Sequence, residues 1–420
     1  MTQAFENMLY LFGCGAKGTT PLEEYCVNLS EIRKLSISQN IWPIVYSAVR
    51  KKISDGSVKI PEDVYGKLEM SFQANLGKAF QKNEFNKKTI RKLEENGIEC
   101  CLFKGMALAD LYDIPETRVS ADADILISEE NEPLAMSVLT NLGYKIFPRQ
   151  KYDHHTSAIH PIGGELEVHI SVMRKNWDDI IFENKIEYNE EYAQFDEGIK
   201  TLGVNDALLN TATHFIKHFV RRGAGVRHIM DMLLYMEKYN SQIDWSNFDK
   251  LMNELYYDKL IDTAKAVGVK YWGFSFDNVG VIDDNTLENF ITDIELGGVF
   301  GGDDTVRKET YAEFTKKRKN LSQSEYKKYS LSNMDRTFLQ KLFPSKDYMK
   351  KSYGMKKDNV FYLLGAHIRR IFTIIKNIVT GKREFSQYVY DESKETTSQV
   401  KERMELFEKL GIIDKNGENE

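Results

Sequence analysis

The sequence predicts an α+β protein in which a small mixed sheet is embedded in extensive flanking helices, and three observations carry this. The stretch 98–127 reads as an apolar strand, a glycine turn, a short helix and an alternating second strand. Gly163 and Gly164 lie between two alternating segments, the pattern of a β-hairpin. Apolar residues recur at helical spacing both before residue 97 and after Asn205.

Taken in order, residues 1–97 form an N-terminal helical region with a long helix opening at Pro61 and closing before Gly97. Val64, Leu68, Phe72, Leu76 and Phe80 recur every four residues along it and are assigned to packing alone. An α/β core over 98–200 follows. Ile98–Phe103 is a buried strand, Lys104 and Gly105 end it, and the backbone N–H groups after Gly105 are placed to face an anion at a helix N-terminus. Pro115 stops that helix. In the next strand Asp122 and Asp124 share one face, while Ala123, Ile125 and Ile127 enter the core. Two carboxylates on one strand face repel unless a cation lies between them, and magnesium, which prefers oxygen ligands and phosphates, is the natural candidate. A helix over Glu130–Leu142 capped by Gly143 returns the chain to a strand at Tyr144–Phe147. On the second arm of the hairpin Glu165, Glu167 and His169 share a face.

His154, His155, His160 and His169 fall within sixteen residues. A histidine-only zinc site there requires the rings to converge without the paired spacing of zinc fingers, so these residues are read as surface or substrate-pocket groups. A helical region over 201–270 closes the site, with Asn205 or Asp206 as its cap and Gly223–Gly225 between two helices. His214 and His218 lie one turn apart, with Lys217, Arg221 and Arg222 close by. Two readings stand: a solvated basic helix end, or a positive lid for a triphosphate. Arg227 and Asp231 are spaced as an i,i+4 ion pair. Residues 271–420 form a mostly helical C-terminal region. Within it Gly297–Thr305 is a glycine-rich loop that lacks the P-loop Lys-Ser/Thr, Val360–Ile378 is a packed helix bearing His367, Arg369 and Arg370, and the end, DKNGENE, is polar.

Composition bounds the function. At 420 residues the chain has room for two or three domains, and 42% apolar with 29% charged residues is ordinary for a soluble protein. A net charge of −6 speaks against a general polyanion binder, so no nucleic-acid polymer is expected as partner. Four cysteines without metal spacing, no secretory leader and no long apolar run are the expectations for a cytoplasmic protein with no membrane partner.

The strand, glycine turn, helix and DxD strand resemble the nucleotidyltransferase superfamily related to DNA polymerase β. FKGMALADLY, Arg118, DADILI and the later GY and LEVH segments resemble the family of uncharacterised nucleotidyltransferases, and LFPSKDYMKKSYG with the helix after it resembles that family's C-terminal part. The resemblance implies a polymerase β-like sheet and transfer of an NMP group from a magnesium-bound NTP to a hydroxyl or similar acceptor on a small molecule or protein. It implies one or two Mg2+ ions on Asp122 and Asp124, with Glu167 as a third carboxylate on the acceptor side. Lys104, Gly105, Arg118, Lys217, His218 and Arg221 would bind nucleotide, and His155, His169, His214, Arg227 and Asp231 would line the acceptor pocket. Met106 stands where many superfamily members carry a phosphate-binding serine, which leaves open a catalytically silent nucleotide- or partner-binding protein of the same fold. A third reading is a zinc hydrolase built on the His154–His169 hairpin.

Overall fold

In the computed structural model, residues 1–149, 154–173, 179–183, 185–188, 192–194, 198–298, 304–320 and 394–413 are described. The expectations for most of the 297–305 loop, the 360–378 helix and the last residues fall outside them. The helical periodicity before the sheet folds as α1 (Gln3–Lys17), α2 (Leu29–Ser38), α3 (Trp42–Ser54) and α4 (Glu62–Glu95). The Thr2 side chain caps α1, and α4 starts directly after Pro61 and closes before Gly97, whose φ of 78° only glycine adopts without strain.

The four-residue stripe on α4 does not pack as a unit. Phe72 is 3% exposed, whereas Val64 and Phe80 are 40% and 55% exposed. Four residues turn a helix about 40° past a full circle, so five such positions wind around the cylinder instead of marking one face. Ile90 and Leu93, near the helix end, are the residues that reach the sheet core.

The central segment alternates as β1 (Cys101–Phe103), α5 (Gly105–Ala109), β2 (Asp122–Leu126), α6 (Glu132–Asn141), β3 (Lys145–Phe147), β4 (His155–His160), β5 (Gly164–His169), α7 (Asp179–Phe182), β6 (Tyr192–Gln194) and β7 (Lys200–Leu202). The strands form a seven-stranded mixed sheet in the order β3-β4-β5-β2-β1-β7-β6. β4 and β5 are the expected hairpin, β2 runs antiparallel to β1 and parallel to β5, and β1 runs parallel to β7.

Period-two alternation gives this sheet two different faces. Leu102, Ala123, Ile125, Leu166 and Val168 point into a core closed by Ile90 and Leu93 of α4 and by Ala135 and Leu139 of α6. Each fully buried aliphatic chain there contributes roughly 1.5–3 kcal/mol, and Ile125→Ala would cost about 2–5 kcal/mol. On the opposite face Cys101, Phe103 and Leu202 pack with Leu126, Val172 and Ala207. Ala207 belongs to α8 (Val204–Arg221), so α8 lies over the face that carries the strand carboxylates.

α8 is followed by α9 (Val226–Tyr239), α10 (Trp245–Glu254), α11 (Asp258–Trp272), α12 (Asp284–Gly297), α13 (Asp304–Arg318) and α14 (Lys394–Lys409). The cap of α8 differs from expectation. Gly203 holds the N-cap position without a side-chain bond, and Asn205 Oδ1 instead accepts from Asp244 N, 2.8 Å away, which ties α8 to the start of α10. The chain divides into two compact units, Met1–Asp304 with Glu405–Lys415, and Thr305–Met404 with Asn416–Glu420. The sheet and its covering helices lie in the first. No helix among the described residues is long and apolar enough to cross a membrane.

Candidate active site

Parallel pairing of β2 with β5 sets Asp122 opposite Glu165 and Asp124 opposite Glu167. Asp124 is 3% exposed. Lys104 Nζ donates to Asp124 Oδ1 at 2.9 Å, and His169 Nε2 lies 3.0 Å from that oxygen and 3.2 Å from Glu167 Oε2. Burial by itself would push the Asp124 carboxyl up, but the Lys104 ammonium and His169 outweigh it and hold the group well below the usual carboxylate range. Glu167 follows the same logic: burial raises it, the hydrogen bond from His169 lowers it further, and the net direction is down. Ser120 Oγ donates to Asp122 Oδ1 at 2.9 Å, and Ser157 Oγ donates to Glu165 Oε1 at 2.7 Å. Four carboxylates are thus gathered on two adjacent strands, with Asp124 and Glu167 ionised and held by cationic or polar partners.

The turn before α5 is built differently from expectation. The left-handed conformation falls on Lys104, at φ 55° and ψ −125°, and not on Gly105. Such backbone costs a non-glycine residue about 1–3 kcal/mol and persists where the surroundings over-determine it. Gly105 is favoured for a steric reason, because a Cβ there would lie 3.0 Å from Ser120 Oγ and make that side chain give way. Met106 points into the core at 5% exposure, so the hydroxyl beside this turn comes from Ser120. α5 has only five residues, which leaves little helix dipole for an anion. Lys82 of α4 also reaches the turn, donating to Ser120 O at 2.9 Å and Ala121 O at 2.8 Å. Burial lowers its ammonium while Asp122, Asp124 and Glu165 pull it upward. Sequence reasoning missed Lys82 because it is one of many polar residues on a long helix read as packing.

Arg118 is engaged by Asp231. It is 8% exposed, and its Nε and Nη2 donate to Asp231 Oδ1 and Oδ2 at 2.8 and 2.6 Å, while Nη1 donates to Gly105 O at 2.8 Å. Tyr112 Oη adds a 2.7 Å bond to Asp231 Oδ1. Arg118, expected at the nucleotide, and Asp231, expected in the acceptor pocket, form with each other a buried pair that braces the turn through Gly105 O. Arg227 donates to Val119 O, and the i,i+4 ion pair with Asp231 gives way to the Arg118 fork. The fork wins because two parallel charge-assisted bonds are available only to a planar guanidinium facing a carboxylate.

The α8 histidines are not a solvated basic end. His214 and His218 are enclosed with His228 of α9, with ring centroids 4.5, 5.2 and 4.7 Å apart. Burial, then the neighbouring imidazoles and the cations Lys104 and Lys217, hold His214 and His218 well below the usual imidazole range. They are neutral, so positive charge on this helix face comes from Lys217 and Arg221. Lys104, His214 and Lys217 line a cavity of about 10 Å³, room for one water, and Lys104 also borders a cavity of about 380 Å³ with Phe103, Asn210, Tyr235 and Tyr239. His228 escaped the sequence reading, although a third histidine ten residues beyond HxxxH, across a Gly-Ala-Gly turn, was a usable signal.

Three groups of side chains gather atoms able to ligate a metal: Asp124 with Glu167 and His169; His154 with His155 and His169; and His214 with His218 and His228. Within each group the ligand atoms lie within 4.8 Å of one another. The carboxylate group, joined by Asp122 one alternation away on β2, has the oxygen donors that magnesium prefers. On its most buried carboxylate, Asp124, the Oδ1 is engaged by the Lys104 ammonium and His169, which shows that the site attracts positive charge.

A DxD strand beside a third carboxylate strand, under a helix that supplies cations, is the arrangement expected of a nucleotidyl-transferring core. The sequence profile of the family described as "Uncharacterised nucleotidyltransferase" matches residues 26–264, more than half of the chain, and the protein belongs to that family. No curated protein matches. Among solved structures, one titled "tRNA-processing enzyme (apo form I)" is similar at 13% identity, covering 85% of this chain and 100% of its own, with a TM-score of 0.26, a level that carries no argument.

Proposed function

We propose that the protein is a metal-dependent nucleotidyltransferase that moves an NMP group from an NTP to a hydroxyl or similar acceptor on a small molecule or protein, releasing pyrophosphate. The observation that carries this is the register of β2 and β5, which sets Asp124 against Glu167 beside Asp122 on the face covered by α8. Membership of the family supports it. Asp122 and Asp124 would hold magnesium, with Glu167 completing the oxygen set. Magnesium would supply charge neutralisation of the triphosphate and of the departing pyrophosphate.

The remaining work falls to side chains. Glu167, ionised at neutral pH, accepts the proton of the attacking hydroxyl as its oxygen bonds the α-phosphorus and the α–β bridging bond breaks. Lys104 and Lys217 face the phosphates from β1 and α8. His169 holds Asp124 and Glu167 in a fixed relation through Nε2. Arg118 and Asp231 keep the 104–105 turn rigid from behind.

The test is pyrophosphate release from each NTP with magnesium, in wild type and Asp124→Asn, across a panel of hydroxyl-bearing small molecules and proteins. Magnesium-dependent release lost in the variant supports the proposal. NTP binding without release for any acceptor identifies the silent nucleotide-binding protein instead.

A further inference from the structure

The hairpin histidines form a second constellation, of which the proposed transfer uses the Nε2 side of His169. His169 is 1% exposed, and its Nε2 faces Asp124 and Glu167, both ionised. An imidazole that meets two carboxylates through Nε2 presents N–H there, and Nδ1 is the ring nitrogen left for another partner. That Nδ1 is buried and has no hydrogen-bond partner. His154 Nδ1 is likewise buried without a hydrogen-bond partner, and burial, then His169 and His155, push this imidazole down to about 2. The His154, His155 and His169 rings meet with centroids 5.0, 4.9 and 5.0 Å apart, and their candidate ligand nitrogens lie within 4.8 Å of one another.

Buried ring nitrogens left without partners are costly, and a native fold keeps them for a reason. Imidazole nitrogens suit zinc-class metals, whereas magnesium prefers oxygen. The outer contacts also fit, because a metal-binding histidine typically gives its second ring N–H to a carboxylate. His169 does so to Asp124 and Glu167, and His155 Nε2 stands 3.6 Å from Glu167 Oε1. We propose that His154, His155 and His169 bind a borderline divalent transition metal of the zinc class, on the side of His169 away from the carboxylates. Three protein ligands leave a fourth position open. The bound ion ties β4 to β5 and fixes the imidazole on which Asp124 and Glu167 both lean. The His214, His218 and His228 group is the weaker candidate: Lys104 and Lys217 bear on both groups, but His228 Nδ1 already accepts from Gly225 N at 3.1 Å, and Arg222 adds a further cation near His218.

Metal binding at this site can be read without the transfer reaction, so its test is separate. The full chain is stripped with a chelator and titrated with Co2+ alone, following the visible absorption that tetrahedral nitrogen ligation produces. The expected result is saturation at one equivalent, displacement by Zn2+, and at least a tenfold loss of affinity in His154→Ala and in His155→Gln. His218→Ala and Asp122→Asn retain the wild-type titration. Wild type lacking the visible bands overturns the proposal whatever the variants do, as does a loss that follows His218→Ala or Asp122→Asn. Variants are compared only after their circular dichroism matches wild type.

Discussion

Asp124 on β2 and Glu167 on β5 face each other across a parallel strand pair, and the Nε2 of one buried imidazole, His169, lies 3.0 Å from the first and 3.2 Å from the second. Like charges placed directly opposite destabilise a sheet, so His169 and Lys104 are what make the arrangement tolerable without a metal. The same two groups define how the site should respond when it is altered.

Asp124→Asn should lower transfer by at least roughly 10³-fold, since it removes a metal-binding oxygen where charge develops. Glu167→Gln should cost about 10²–10⁴-fold, the usual contribution of a general base. Steady-state pyrophosphate release measures both. Full activity in Glu167→Gln together with an inactive Asp124→Asn would remove Glu167 from the mechanism.

Lys104 and a metal ion compete for Asp124 Oδ1. Lys104→Met should therefore tighten Mg2+ binding to the nucleotide-free protein by roughly tenfold, about 1.4 kcal/mol, while weakening NTP binding through loss of a cation. Mg2+ titration and NTP titration should move in opposite directions. A parallel weakening of both would make Lys104 a merely structural residue.

The Arg118–Asp231 fork should be a stability element and not a substrate contact. Breaking a buried pair from one side leaves an uncompensated charge, so Arg118→Ala or Asp231→Ala should cost about 3–5 kcal/mol in urea unfolding. Arg118→Lys should recover only part of this, because an ammonium cannot reproduce the two parallel bonds and the third to Gly105 O. Near-wild-type stability in Arg118→Ala would contradict the assignment.

Acid should destabilise the protein earlier than carboxylates alone predict. Burial holds His228 down to about 4 from 6.5, and His214 and His218 are also depressed. Between about pH 6.5 and 4 the unfolded chain binds protons that the folded state refuses, so stability falls as pH falls, by up to about 1.4 kcal/mol per pH unit for each such group. Asp124, also depressed, contributes stability above its unfolded pKa of about 3.9, and that is lost only as pH drops through its lower folded value. His228→Asn, which can still accept from Gly225 N as His228 Nδ1 does at 3.1 Å, should flatten the upper limb by about one proton. Urea unfolding across this pH range checks it, and an unchanged slope would place the titration elsewhere.

The local patterns of this chain were legible where one physical rule dominates. Alternation alone placed Asp122 and Asp124 on one face and Ala123 and Ile125 in the core, and the two glycines marked the β4–β5 hairpin. What the sequence hid depends on contacts between distant segments. Nothing near Lys82 indicates that it reaches Ser120 and Ala121, 38 and 39 residues away, and nothing near Arg118 reveals a partner at Asp231, 113 residues on. The neutrality of His214 and His218 is hidden from the sequence for the same reason. Beside Lys217 and Arg221 they look basic, but enclosure against His228 makes them neutral. Convergence of the hairpin histidines cannot be read from spacing, and in the folded chain their rings do meet.

The central claim is that Asp122 and Asp124 hold a metal on which nucleotide binding depends. Calorimetric titration of each NTP, with and without magnesium, into wild type and into an Asp122→Asn, Asp124→Asn double variant tests it most directly. The account predicts binding that requires magnesium and disappears in the double variant. Binding that is unaffected by the two substitutions, or no binding of any NTP to wild type, would contradict it.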